Sequence, residues 1–517
     1  MMLRLSLLLQ ICRLASSAAA PPRGTCPAPT VATSAPVFIT DAHFASWTVD
    51  PSRNRAFFDV SWTDPRLLYL ASEVGRGSVL RFGGGGGDAL TYGVPVQCDS
   101  PVPAWGYECL NKSTLDALLG VASAASARLV FAIDILPLGG GSPPAPWNPD
   151  AASGVLEYIR DTGFPLFGVE LGNERNANGF TAAEQAAAFR VLWRLLQTLW
   201  PAPLRPRLWG PDADGAGPPT DDPRRLANQA AFLADFVGNL SGGPPLAAVT
   251  FHEYIQITSA SVLNGSALDA SAHNARALVA AVRAVSPDVP VWGGEVGPHT
   301  GASTGNTTNT GSCDDNKLCG RFGSCIWYAD AMGSSARAGV AGFARQDLVG
   351  AFYALLNTSR PGATGDAQGR FTPTPDYYLL WLWQRLVGPR VLDVAPPPGA
   401  QGVRAYAFCS ANVTNAATLV LINIGAAPVC VGAPSFVPAG AALTVYALTA
   451  ADAAGVEAWG ARLNGRPLAT GQGGALPDLR GEDVPAAGGV TLQPTSVALV
   501  VAPADAGALP ACAGAGG

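Results

Sequence analysis

The 517-residue chain is 48% hydrophobic with a formal net charge of −6, which excludes global disorder and disfavours nonspecific binding to nucleic acid. Its length accommodates one large barrel and a smaller domain. Charged residues make up only 14% of the chain, and Lys112 and Lys317 are its only lysines; the heavy use of Ala, Gly and Pro reads as a compositional bias, so Ala-rich runs carry little information.

Residues 1–20 read as a secretion signal: Arg4, a short apolar run over 5–12, and a small-residue cleavage site at Ala18-Ala19-Ala20. Arg13 and the lack of acidic residues also fit a transit peptide. No later apolar stretch reaches about 20 residues, so no membrane span is expected. Six N-x-Ser/Thr sites, at Asn111, Asn239, Asn264, Asn306, Asn357 and Asn412, fit secretion. Cys98 and Cys109 flank a Pro-rich loop and could close it. Cys313, Cys319 and Cys325 lack CxxC spacing and a nearby His, which favours disulfides over a metal site. Once Cys12 leaves with the signal, the odd count leaves at least one thiol unpaired in a monomer.

A first strand is predicted over 36–39 and a second over 44–50. Asp64 caps a helix over 65–74 with Pro65 at its first position. A strand over 79–82 runs into five glycines, 83–87, which match neither GxxxxGK[ST] nor a supported GxGxxG and read as a barrel loop with close backbone packing. A helix follows over 113–126, capped by Ser113 or Thr114, then a strand over 128–134 and a helix over 151–161. The apolar strand 167–171 ends in Asn173-Glu174-Arg175-Asn176. Thr181 and Glu184 form a capping box for a helix to 199. A strand over 207–210, a helix over 228–237, a strand over 247–251, a helix over 274–285 and a strand from 289 to Glu295 complete the run. Such alternation over about 300 residues argues for a parallel α/β barrel. After Val387, short β-rich runs over 403–408, 418–424, 443–447 and 497–502 read as a small β-sandwich, set off near 393–398. No internal repeat is found.

A strand ending in Asn-Glu has the form of a barrel active site, because the mouth of a (β/α)8 barrel is built from strand ends; alone, such a pair is better explained by a solvated loop after a core strand. Glu295, at the end of a second apolar strand, changes that. Two carboxylates at two strand ends can face one cavity, as glycoside hydrolysis requires.

Leu171-Gly172-Asn173-Glu174 with Gly294-Glu295 resembles glycoside hydrolase family 79, the heparanase and β-glucuronidase family. Further matches fall in the family's order: Leu80-Arg81-Phe82-Gly83-Gly84, Trp209-Gly210-Pro211-Asp212, Phe251-His252-Glu253-Tyr254, Arg345-Gln346, and Pro375-Asp376-Tyr377-Tyr378 through Leu386-Val387-Gly388. The resemblance, over roughly 38–512, implies an α/β chain with a (β/α)8 TIM barrel (41–390) and a C-terminal β-sandwich (391–515, with 30–40 contributing). It implies retaining hydrolysis of β-linked glucuronic acid or its methyl ether. Glu174 is then the acid/base, with a raised pKa to keep its proton, and Glu295 the nucleophile. Asn173 matches the residue that binds the sugar 2-OH. His252 and Tyr254 stand where one could orient Glu295. Asp50, Arg345 and Gln346 match substrate-site positions, and Gly301 and Tyr353 match the positions that read the uronate. Cys409 and Cys512 match cysteines that pair in the heparanases. No cofactor or metal is implied.

The expected protein is a secreted monomer, extracellular or in the cell wall, with lysosome or vacuole as the alternative, acting on a uronic-acid-containing glycan or glycoside. The rival readings are a clan-related glycosidase for neutral sugars and a noncatalytic carbohydrate-binding or wall protein that retains the fold. Two departures stand out. Arg175 replaces the family's usual Pro, and could pair with a carboxylate or bind an anionic substrate. The long excised linker of animal heparanases has no counterpart, which places the chain nearer the single-chain plant and microbial members. Its arginines, among them Arg205, Arg207, Arg224 and Arg225, are dispersed, so neutral glycans or small aglycones are expected to be cleaved in preference to heparin-like polymers.

Overall fold

The computed structural model describes residues 26–51, 57–94, 108–136, 147–217, 223–299, 317–350, 353–357, 371–471 and 474–513. The expected signal over 1–20, Gly301, Cys98 and Cys313 lie outside them. Eight parallel strands close into a barrel: β1 Ala45–Val49, β2 Val79–Phe82, β3 Arg128–Ile133, β4 Gly168–Leu171, β5 Arg207–Ala216, β6 Leu246–Tyr254, β7 Val291–Gly297 and β8 Gly342–Arg345. A helix follows each strand in turn: α1 Pro65–Gly75, α2 Lys112–Ala125, α3 Asp150–Asp161, α4 Ala182–Leu199, α5 Pro223–Leu240, α6 Gly265–Val285, α7 Phe322–Ala338 and α8 Pro375–Leu386.

Local chemistry sets most of these boundaries. Asp64 accepts the Arg66 backbone N–H at 2.8 Å, with Pro65 opening α1, and the Thr181–Glu184 capping box opens α4. The cap of α2 is Asn111 and not Ser113 or Thr114; its side chain accepts the Thr114 N–H at 2.9 Å, as an Asn cap does as well as Ser. Pro223 and the Asn264 cap carry α5 and α6 further toward the N-terminus than apolar periodicity indicated. Helix α7 was not expected. It is buried on every side from Phe322 to Ala336, so it has no polar face to betray its period.

The amino-terminal end of the barrel is plugged by Trp209 and Trp292, which meet edge to face at 4.7 Å among Val79, Val130, Ala248 and Ala341. Beside the barrel lies an antiparallel sheet of Val387–Leu392, Val403–Ser410, Ala416–Asn423, Ser496–Pro503 and Ala442–Ala450. The short strand Phe38–Ile39 pairs with Val387–Leu392 and so joins this sheet. Every residue of Ala416–Asn423 is buried, because the sheet has two covered faces: Val420 and Ile422 pack in the barrel-side core, Leu419 and Leu421 in the sandwich core. Disulfides join Cys409 to Cys512 and Cys26 to Cys430, and Cys325 is a buried free thiol. Among the described residues no helix is long and apolar enough to cross a membrane.

Candidate active site

The carboxyl ends of β2, β4, β5, β6 and β7 bring one group of buried charges together. Strand β2 is apolar except for Arg81, which points into the barrel. Its guanidinium donates to Glu170 at 2.7 Å, Asp212 at 2.7 Å, Glu295 at 3.0 Å and the Asn173 side chain at 3.1 Å. Burial works against its charge, but Asp212, Glu170 and Glu295 outweigh it and raise its pKa further. Burial and the neighbouring charge of Asp212 raise the Glu170 pKa well above the ordinary carboxylate value, against the pull of Arg81. Asp212 is pushed up by burial, yet Arg81 and His252 bring its pKa well below the usual range.

Glu295 ends buried strand β7, with Tyr254 Oη donating to Oε1 at 2.5 Å and Arg81 to Oε2. The neighbouring Gly294 has no room for a side chain, since a Cβ there would stand 2.9 Å from the Asp212 carboxylate. Glu174 follows β4 in a left-handed conformation, φ 54° and ψ 35°, which costs a side-chain-bearing residue about 1–2 kcal/mol. Its backbone N–H donates to the Asp212 carbonyl at 2.9 Å. The Glu174 side chain is 30% exposed and that of Glu295 only 5%, so Glu174 faces the opening and Glu295 lies at the floor.

His252 links the two. Its Nδ1 lies 2.9 Å from Glu174 and 3.9 Å from Glu295, and its Nε2 lies 3.3 Å from Asp212. Burial alone would lower its pKa, but Glu295, Asp212 and Glu174 raise it well above the usual value. Glu174 moves the other way. Burial pushes it up, but the hydrogen bond and charge of His252, with Arg81, bring it below the ordinary carboxylate value. The expected upward shift of Glu174 is therefore not found: its pKa is lowered while that of His252 is raised, so the pair favours the proton on the imidazole. One donor atom each from Glu174, His252 and Glu295 lie within 4.8 Å of one another. A cation would find three ligands there, although Arg81 already supplies positive charge beside Glu295.

The remaining expected residues are placed as follows. Asn173 is fixed at both ends, its N–H donating to Asp88 at 2.6 Å and its side chain accepting from Arg81. Asp50, after β1, accepts the Gly86 N–H at 3.1 Å and Gln346 Nε2 at 3.4 Å. Gly84, at φ +135°, lies so close to this carboxylate that a Cβ would stand 2.5 Å away; Gly85 and Gly87 face open space. Close packing thus explains only part of the glycine run. The Tyr353 ring lies 6.0 Å from Tyr254. Arg345 is turned away from the mouth and fully buried, donating to Asp376 at 2.7 Å and to the Tyr353 carbonyl at 2.8 Å. Arg175 pairs with Asp88 at 3.0 Å. Beside Asp88, burial and the neighbouring carboxylate push Asp134 up to about 8. Sequence reasoning assigned no role to Arg81, Glu170, Asp212 or Asp88. The available signal was a lone charge inside an otherwise apolar strand, as in Val79–Phe82 and Gly168–Leu171.

No family model matches the chain. It is 24% identical over 372 residues to heparanase-like protein 3 of Arabidopsis thaliana (67% of this chain, 62% of that protein) and 27% identical over 315 residues to heparanase of Mus musculus (58% and 51%). It is 33% identical over 132 residues to baicalin-β-D-glucuronidase of Scutellaria baicalensis (26% and 21%). The chain thus spans 62% or less of the length of these curated relatives. Among solved structures, a 4-O-α-L-rhamnosyl-β-D-glucuronidase from Fusarium oxysporum 12S superposes with a TM-score of 0.61 at 16% identity, covering 92% of this chain and 99% of that one. At that identity the likeness is one of fold.

Proposed function

The chain belongs with the heparanases and heparanase-like proteins of glycoside hydrolase family 79, and from that premise we propose that it hydrolyses β-linked glucuronic acid, or its methyl ether, with retention of configuration. The observation that carries this reading is the approach of Glu174, His252 and Glu295 to within 4.8 Å. Retaining enzymes hold their two carboxyl groups about 5–5.5 Å apart, and inverting ones leave room for a water at about 6.5–9.5 Å.

In the first step an oxygen of Glu295 attacks the anomeric carbon while the bond to the leaving oxygen breaks. That oxygen takes its proton from Glu174, which sits at the open side where an aglycone leaves. The proton is drawn from the His252–Glu174 pair across 2.9 Å. As the attack draws charge out of Glu295, the first of the charges that hold the proton on His252 weakens, so the proton passes through Glu174 to the leaving oxygen and leaves His252 neutral and Glu174 ionised. In the second step Glu174 takes a proton from water, the water oxygen bonds the anomeric carbon, and the ester to Glu295 breaks. Tyr254 and Arg81 keep the two Glu295 oxygens aimed throughout. Tyr353 lies beside Tyr254 at the position assigned to the uronate carboxylate, and the relatives named for heparanase and β-glucuronidase activity support that sugar.

The test is a panel of aryl glycosides with a mechanism-based uronate probe. Hydrolysis of the β-glucuronide with retained configuration, and probe labelling lost in Glu295→Gln, are expected. Turnover of neutral glycosides alone would sink the uronate reading, and an inverted first product would sink the double displacement.

A further inference from the structure

Far from the mouth, at the amino-terminal end of the barrel, a cleft of about 710 Å³ opens between the ends of α2, α3 and α4. Four arginines line it: Arg128 from the start of β3, Arg160 from α3, and Arg205 and Arg207 from the approach to β5. Among the described residues no carboxylate lines it. Arg128 and Arg207 are exposed, and both guanidiniums stand over the Phe167 ring, at 4.9 and 5.1 Å from its centroid. Arg205 stands 5.0 Å over Trp193 and donates to the Trp200 carbonyl at 3.3 Å, while its Nε is buried without a hydrogen-bond partner. Arg160 pairs with Asp161 at 2.7 Å. A guanidinium held by its flat face on an aromatic ring keeps its N–H edge for carboxylate or sulfate oxygens. The carboxyl ends of the three helices point at the same face and would by themselves repel an anion, so the arginines set its sign. This happens in a chain of net charge −6.

We propose that this cleft is a noncatalytic site for a carboxylate-bearing glycan chain, which anchors the protein to an acidic polysaccharide while the opposite end of the barrel carries the chemistry. The choice of a glycan rests on the reading of the mouth as a glucuronidase. It is also favoured by an acidic net charge, which disfavours wrapping by a nucleic acid.

The experiment measures retention of the full chain by polygalacturonate, with neutral dextran as control, at about 20 mM and about 200 mM salt. Polygalacturonate should retain the protein and dextran should not, with retention weakened by salt. Arg128→Gln with Arg207→Gln should weaken binding about tenfold or more and leave kcat/KM for an aryl β-glucuronide unchanged. Three outcomes would overturn the proposal. Retention unchanged in the double variant with lowered thermal stability would mean that the arginines serve only the helix ends. Equal retention on dextran would remove the charge argument. Displacement by duplex DNA as effective as by free polygalacturonate would remove the glycan. Retention without hydrolysis of the aryl glucuronide by the unaltered chain would support the cleft and count against the reading of the mouth alone.

Discussion

His252 is the residue on which protonation of the site turns. Because its pKa is raised and that of Glu174 lowered, the pair should keep its proton up to a pH well above the ordinary imidazole value of about 6.5, and activity should fall only as pH rises through that raised value. His252→Gln leaves Glu174 to hold the proton alone. We expect kcat to fall by about 10²–10⁴ for glycosides with poor leaving groups, with little loss for activated aryl glycosides and the alkaline limb of kcat/KM moved toward acid. A limb that stays in place would refute the relay. Asp134 supports a second prediction. Its folded pKa of about 8 lies above the unfolded value, so its contribution to stability is complete below about pH 4 and is lost as pH rises through 8. Asp134→Asn mimics the protonated acid and keeps the acceptor for the Leu136 N–H. Thermal melts at pH 8 should show the variant more stable, by an amount on the order of 1–3 kcal/mol, with the gap closing toward pH 4. An equal effect at both pH values would show that the shift is not the cause.

At the scale of elements, the sandwich sheet and the barrel approach through α7. Gly333 lies mid-helix, where glycine ordinarily costs about 0.5–1 kcal/mol relative to Ala. A Cβ there would stand 2.4 Å from the Tyr406 ring, and Tyr406 in turn donates to buried Asp330 at 2.6 Å. Arg404 reaches the same carboxylate. Gly333→Ala should therefore destabilise by about 1–3 kcal/mol through overpacking, although it raises helix propensity; denaturant unfolding reads the difference, and a stabilised variant would show that the contact yields. Strand β8 is held similarly. Buried Arg345 ties its end to Asp376 on α8 and to the Tyr353 carbonyl, so its part in the site runs through Tyr353.

Across the whole molecule, Cys409 and Cys512 enclose most of the sandwich, at a sequence separation of 103. Chain entropy assigns such a loop about 4–5 kcal/mol. Removing the bridge with Cys409→Ser and Cys512→Ser should lower thermal stability markedly, while hydrolysis of an aryl glycoside at low temperature stays near its original rate, because the charged cluster of the mouth lies on barrel strands. Loss of activity with the fold intact would show that the sandwich positions the mouth. Charge distribution is also a property at this scale. Arginines that look dispersed along the chain collect at the amino-terminal end of the barrel, and the described mouth uses Arg81 and Arg175 in buried pairs.

The sequence alone determined the alternation of strands and helices, the sandwich that follows, and the two strand-ending glutamates, because period, caps and strand-end carboxylates are local signals. It also carried the capping box at Thr181 and the proline that opens α1. Helix α7 escaped because burial on all sides erases its period. The roles of Arg81, Glu170 and Asp212 escaped because a lone charge in an apolar strand names no partner; closing the barrel brings residues from five strand ends within hydrogen-bond distance. Tertiary structure likewise decided that the pKa of His252 is raised and that of Glu174 lowered. A pKa depends on burial and on every charge nearby, and those distances exist only once the chain is folded.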